Sequence, residues 1–183
     1  MRLFIAINFD RQTKANLVNV QNHLREYGSG NFTREDNLHL TLAFLGEISP
    51  DRLDTIKAVM DRISVPQLKL TFSEIGCFRN DSELWWIGTE KNEKLLQLQR
   101  ELSDGLKSEG FKLESRKFSP HITLARKMHA EMIDREKVLG MPFATETDAI
   151  SLMLSERVDG KLVYTELHRQ SNNLHTRWHW HMN

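Results

Sequence analysis

Two tetrapeptides of one design, His39-Leu40-Thr41-Leu42 and His121-Ile122-Thr123-Leu124, recur 82 residues apart, each inside an apolar run. A β-strand turns successive side chains to opposite faces. His and Thr at i and i+2 therefore share one face, while the aliphatic residue between them enters a core. The fold must accommodate two strands that each present an imidazole beside a hydroxyl. Independent placement of residues yields about 0.07 such tetrapeptides in a chain of this composition. One copy alone reads as a strand with a hydrogen-bonded His and a β-branched Thr. Two titratable groups in matched settings point instead to a working site.

The surroundings of the motifs repeat as well. A strand over residues 2–9, a helix over 11–27 and the first motif strand over 38–45 form one unit. A strand over 84–89, a helix over 91–108 and the second motif strand over 119–126 form another. Phe4 precedes His39 by 35 residues, and Trp86 precedes His121 by the same distance. Such self-similarity predicts an α+β fold of two pseudo-symmetric lobes, each an antiparallel sheet with flanking helices, facing each other across a central cleft.

The helices rest on apolar spacing: Leu17, Val20 and Leu24; Leu53, Ile56, Met60 and Ile63; Leu95, Leu98, Leu102 and Leu106. Gly28 reads as a helix C-cap, with a polar loop after it. Ser49-Pro50 reads as an N-cap with proline at the first helical position. Strands are expected over 67–78, 143–157 and 161–168, the last two joined at Asp159-Gly160, and a weakly patterned helix over 130–139. The four prolines are scattered and no low-complexity linker interrupts the chain, so residues 1–183 are expected to form a single bilobal domain.

Lys+Arg and Asp+Glu both number 25, a balance that disfavours a coat for long nucleic acid and permits a small or terminal phosphate ligand. Arg116, Lys117, Arg126 and Lys127 offer a local basic rim beside the second motif. Cys77 is the only cysteine, so no internal disulfide is expected, and it reads as a small buried residue. No apolar run reaches membrane-spanning length and the N-terminus lacks a secretory pattern, which together predict a cytoplasmic protein away from membranes; a monomer is expected. His175, His179 and His181, near the C-terminus, lack Cys or carboxylate partners at metal spacing. His23, His129 and His168 stand singly and are expected at the surface. No metal and no cofactor is expected.

Two imidazoles near neutral pH suit the opening of a phosphodiester. One takes a proton from the nucleophile and the other protonates the leaving alkoxide. Hydroxyls beside them can donate to the non-bridging oxygens as charge develops there. Asn37-Leu38-His39-Leu40-Thr41-Leu42-Ala43-Phe44-Leu45-Gly46 and Phe118-Ser119-Pro120-His121-Ile122-Thr123-Leu124-Ala125-Arg126 resemble the paired signatures of the two-histidine (2H) phosphoesterases. The likeness is to the bacterial RNA 2′,3′-cyclic phosphodiesterases, historically called 2′-5′ RNA ligases. It extends from Arg2–Asn8 to Tyr164-Thr165-Glu166-Leu167.

The resemblance implies metal-independent opening of 2′,3′-cyclic phosphates on RNA 3′ ends or nucleotides to 2′-phosphates, with 2′-5′ ligation as the accompanying reverse chemistry. It makes His39 the proton donor and His121 the proton acceptor, and sets Thr41, Thr123, Arg126 and Phe44 against the substrate. Strict alternation opposes the last two. Arg126 and Phe44 each lie five residues after their histidine, on the opposite face, where Arg126 would be solvated beside Lys127 and Phe44 would pack in the core. Only a strand end, a twist or a bulge can return them. Two other functions remain open at this level: a non-catalytic module for RNA ends or nucleotides, and a 2H enzyme for 2′-5′-linked oligonucleotides or another small cyclic phosphoester.

Overall fold

A computed structural model describes residues 1–172, so the histidines at 175, 179 and 181 lie outside the described residues. The elements run β1 (Arg2–Asn8), α1 (Arg11–Arg25), β2 (Gly28–Phe32), β3 (His39–Glu47), α2 (Leu53–Arg62), β4 (Leu68–Arg79), β5 (Glu83–Thr89) and α3 (Glu93–Ser108). They continue with β6 (His121–Ala130), α4 (Arg135–Leu139), β7 (Phe143–Thr147), β8 (Ala149–Val158) and β9 (Lys161–Ser171). Among the described residues no helix is long and apolar enough to cross a membrane.

Among the described residues nine strands divide into a four-stranded sheet ordered β3-β1-β8-β9 and a five-stranded sheet ordered β2-β6-β5-β4-β7, with every pairing antiparallel. The first order maps onto the second as β6-β5-β4-β7, with motif strand on motif strand, so the expected two-lobed α+β repeat is present. β2 is an addition to the second lobe's edge. The 35-residue coincidence is offset from the pairing: His39 stands opposite Asn8 and His121 opposite Gly88.

Helix ends and stripes follow from local chemistry. Asp10 accepts the Thr13 amide at 2.8 Å and Asn92 the Leu95 amide at 3.0 Å, each satisfying an otherwise orphaned N–H. Leu95, Leu98, Leu102 and Leu106 of α3 are all buried, and each buried leucine stabilises by about 2 kcal/mol. Each repeat's helix packs beneath the other repeat's sheet: α1 lies on β2, β6 and β7, and α3 lies on β3. One apolar core runs through both lobes, from Leu3, Ile5 and Ile7 to Ile122 and Leu124. On the other face of β1 a small separate cluster joins Phe4, Ala6 and Met153 with Tyr164.

Four local expectations are corrected. Gly28 does not cap α1, which ends at Arg25; it opens β2, where a Cβ would sit 2.0 Å from the His129 carbonyl oxygen. Ser49 gives no side-chain cap; Pro50–Arg52 forms a 3-10 turn that leads into α2. Residues 143–157 are not one strand but β7 and β8, which belong to different sheets. Of the single histidines only His129 is exposed. His23 is held to the Val138 carbonyl at 3.0 Å and His168 to Asp61 at 2.7 Å.

Candidate active site

Both motif strands begin with the expected alternation. His39 and Thr41 face a cleft while Leu40 is fully buried; His121 and Thr123 do the same around Ile122. The alternation then breaks at the same place in each strand. On β3, Thr41 pairs with Ala6 and Ala43 with Ile5, so Leu42 is an extra residue. On β6, Thr123 pairs with Trp86 and Ala125 with Trp85, so Leu124 is the extra one. A bulge of one residue exchanges the faces of everything after it.

Phe44 and Arg126 are thereby returned to the faces of their histidines, and both line the cleft. This corrects the parity expectation for both residues. Phe44 is 39% exposed rather than packed in the core, with the Arg2 guanidinium 4.8 Å above its ring.

Each bulge is braced from the other repeat. The buried Gln21 of α1 donates to the Leu124 carbonyl at 3.0 Å and to the Thr33 carbonyl at 2.8 Å. Gln99 of α3 donates to the Leu42 carbonyl at 3.2 Å. The carbonyl that a bulge withdraws from its ladder needs such a partner.

The two imidazoles are oriented alike. The Nδ1–H of His39 donates to the Asn37 carbonyl at 2.6 Å, and that of His121 to the Ser119 carbonyl at 2.7 Å, each two residues upstream. Nε2 of each ring is left for chemistry in the cleft. His39 Nε2 lies 2.9 Å from the Thr41 hydroxyl. Burial lowers the pKa of both histidines, opposed by the carbonyl bonds at Nδ1 and reinforced by the Arg126 guanidinium. The charges of His121 and Lys14 lower His39 further. Arg126 thus acts on both imidazoles.

The cleft encloses about 1010 Å³ and brings together both histidines, both threonines, Phe44 and Arg126. Of the expected basic rim only Arg126 lines it. Among the described residues Arg116, Lys117 and Lys127 are exposed elsewhere, and the cleft's cations are Arg126 with Arg2, Arg34 and Arg157. Sequence reasoning also missed Tyr164, Gln21 and Gln99. Tyr164 gave one signal, its place in the closing stretch shared with the 2H family. No three His, Cys, Asp or Glu side chains among the described residues are arranged to hold a metal ion.

Comparison with known proteins agrees with this geometry. Residues 13–159 match the family model described as the 2'-5' RNA ligase superfamily. The RNA 2',3'-cyclic phosphodiesterase of Thermotoga maritima is 34% identical over 131 residues, covering 69% of this chain and 70% of that protein. The Escherichia coli protein of the same name is 32% identical over 126 residues, 68% of this chain and 71% of that protein. The crystal structure of E. coli LigT complexed with 3'-AMP superposes with a TM-score of 0.81 at 29% identity, covering 93% of this chain and 97% of that one. A shared fold, matching sequence over most of the length and two equivalent bulged motif strands lead to one assignment: this chain belongs to the 2'-5' RNA ligase superfamily.

Proposed function

We propose that this protein hydrolyses RNA 2′,3′-cyclic phosphate ends, or nucleotides carrying that group, to 2′-phosphates. His121 accepts a proton from water as its oxygen attacks phosphorus. The P–O3′ bond breaks, and His39 delivers a proton to the departing O3′. The product carries a 2′-phosphomonoester and a free 3′-hydroxyl. Thr41 and Thr123 donate to the non-bridging oxygens, Arg126 neutralises their charge and Phe44 stacks on the base. With an RNA 5′-hydroxyl in place of water, the same proton transfers yield a 2′-5′ linkage. The protein acts as a monomer and without metal.

The observation that carries this reading is the pair of Nδ1-tethered imidazoles whose Nε2 atoms serve one cleft, with a single guanidinium in reach of both. A binding module has no need of two protonatable groups held this way. The relatives' names give the substrate class.

The test is incubation with RNA bearing a 2′,3′-cyclic phosphate in excess EDTA, with the product end identified. Turnover to a 2′-phosphate is expected. His39→Ala and His121→Ala should each lower kcat by about 10²- to 10⁴-fold. Thr41→Ala and Thr123→Ala should each cost about 10- to 10³-fold. A 3′-phosphate product, turnover abolished by EDTA, or a histidine variant with unchanged kcat refutes the scheme.

A further inference from the structure

Each motif histidine sits in an aromatic corner, and the two corners are alike in ring geometry, although Tyr164 stands on β9 and Phe78 on β4, strands that the two-fold mapping does not pair. At His39, the Phe4 ring lies 4.8 Å away and the Tyr164 ring stands edge-on at 5.3 Å and 86°. At His121, the Trp86 ring lies 6.2 Å away and the Phe78 ring stands edge-on at 5.1 Å and 90°. Within each corner the two aromatic rings also touch, Phe4 with Tyr164 at 4.9 Å and Phe78 with Trp86 at 5.4 Å. Packing accounts for all four rings. It does not account for the hydroxyl of Tyr164, the one atom that Phe78, the edge-on ring of the other corner, lacks.

That hydroxyl makes no hydrogen bond among the described residues, although the ring beneath it packs on the apolar Phe4, Ala6 and Met153 cluster. It is not sealed in the interior like Trp86 Nε1 and Thr89 Oγ1, which are buried without partners; Tyr164 lines the cleft. Burial pushes the phenol's ionisation above its usual value, while the charges of Arg126 and Arg2 pull it back. The group stays an O–H donor at neutral pH, within electrostatic reach of the same guanidinium that acts on both histidines. A phenol that faces an open cleft can exchange solvent for an anionic oxygen, and a hydrogen bond to such an oxygen is the stronger of the two.

We propose that Tyr164 is a substrate-contacting residue whose hydroxyl donates a hydrogen bond to a non-bridging oxygen of the bound phosphate, on the His39 side of the cleft. The proposal rests on the reading of the cleft as a phosphoester site. Its consequence is an anion gripped unequally, by the phenol from the four-stranded sheet and by Arg126 from the five-stranded one. A nearly two-fold site thereby accepts its substrate in one orientation only.

Tyr164→Phe keeps the ring and copies the corner that Phe78 already forms. The experiment compares wild type with this variant in three measurements: kcat/KM on 2′,3′-cyclic-phosphate RNA, affinity for inorganic phosphate by NMR titration, and the thermal midpoint without phosphate. The expected result is a fall of about 10- to 100-fold in kcat/KM, weakened phosphate binding and an unchanged midpoint. Unchanged phosphate affinity overturns the proposal, whether or not kcat/KM falls. A lowered midpoint with phosphate affinity preserved also overturns it, since the hydroxyl would then be structural. A wild type inert toward the cyclic phosphate defeats the hydrolytic reading. The phosphate titration still decides the contact in that case, because weaker binding in the variant upholds it and equal binding overturns it.

Discussion

Replacing Gln21 by methionine keeps the length and volume of the side chain and removes the amide that braces the second bulge. In the wild type that amide donates to the Thr33 carbonyl at 2.8 Å and the Leu124 carbonyl at 3.0 Å, in a site where Gln21 is 2% exposed. The Leu124 carbonyl keeps one partner, the Thr33 amide at 3.0 Å, so it is weakened rather than orphaned. Two net bonds of about 1 kcal/mol each give a loss of about 2 kcal/mol. At about 2–4 °C per kcal/mol for a domain of this size, the midpoint should fall by about 4–8 °C. Gln99→Met removes a 3.2 Å bond to the Leu42 carbonyl and a 2.9 Å bond to the Ser103 hydroxyl, both at a half-buried position where solvent can replace them. Its cost should be about 1 kcal/mol or less, hence about 4 °C at most. The activity readout separates the two further. Gln21→Met loosens the bulge that returns Arg126 to the cleft and should raise KM. Paired thermal melts in phosphate-free buffer, with steady-state kinetics at a temperature where both variants are folded, make the comparison. A Gln21→Met midpoint equal to wild type, or a larger loss in Gln99→Met, refutes the account of the bulges as braced from the opposite repeat.

Burial and Arg126 hold both histidines below their ordinary pKa, so both limbs of the kcat/KM bell should lie on the acid side of the usual histidine range. A bound phosphate raises them, so the kcat profile should sit at higher pH. His121→Ala should lose the acidic limb and His39→Ala the alkaline one, and the reverse assigns the roles the other way. Because the unfolded chain binds more protons between the lowered pKa values and about 6.5, unfolding free energy should fall on acidification through that interval and level off below it. Denaturant melts from neutral to acid pH should show this slope, and it should shrink in His39→Ala. Gly76→Ala would bring a Cβ to 2.0 Å from the Trp86 ring, which leans toward His121, so a loss of about 1–3 kcal/mol is expected with reduced kcat. Trp86→Leu should relieve the added penalty, and an additive double variant contradicts this. Among the described residues the side-chain cations of the cleft are Arg2, Arg34, Arg126 and Arg157, which predicts modest salt dependence of RNA binding, and a log–log slope corresponding to about six or more released counterions opposes it.

The paired motifs, the helical stripes and the Asp159-Gly160 turn, both residues with positive φ, were legible because each rests on a local period or a local backbone demand. β2 was not, since Gly28-Ser29-Gly30-Asn31 carries no apolar alternation and owes its strand form to pairing with β6. The bulges escaped for a different reason. Leu42-Ala43 and Leu124-Ala125 are both buried in succession, and a reading by parity has no way to count one residue twice. The register against β1 and β5 defines them, and the glutamine that braces each one sits on a distant helix, a contact with no local signature. Tyr164 lies on β9, far in the chain from His39, and only the sheet order β3-β1-β8-β9 brings it near.

The Nδ1 tethers have a mechanical consequence. Each histidine is held by a carbonyl of its own segment, Asn37 for His39 and Ser119 for His121, rather than by any group across the cleft. A change in the aperture between the sheets moves each ring together with its tether, as one cassette. The tautomer that leaves Nε2 unprotonated in the neutral ring is therefore independent of how wide the gap stands. Substrates of different girth can meet the same pair of proton carriers in the same state, and gap width governs reach alone.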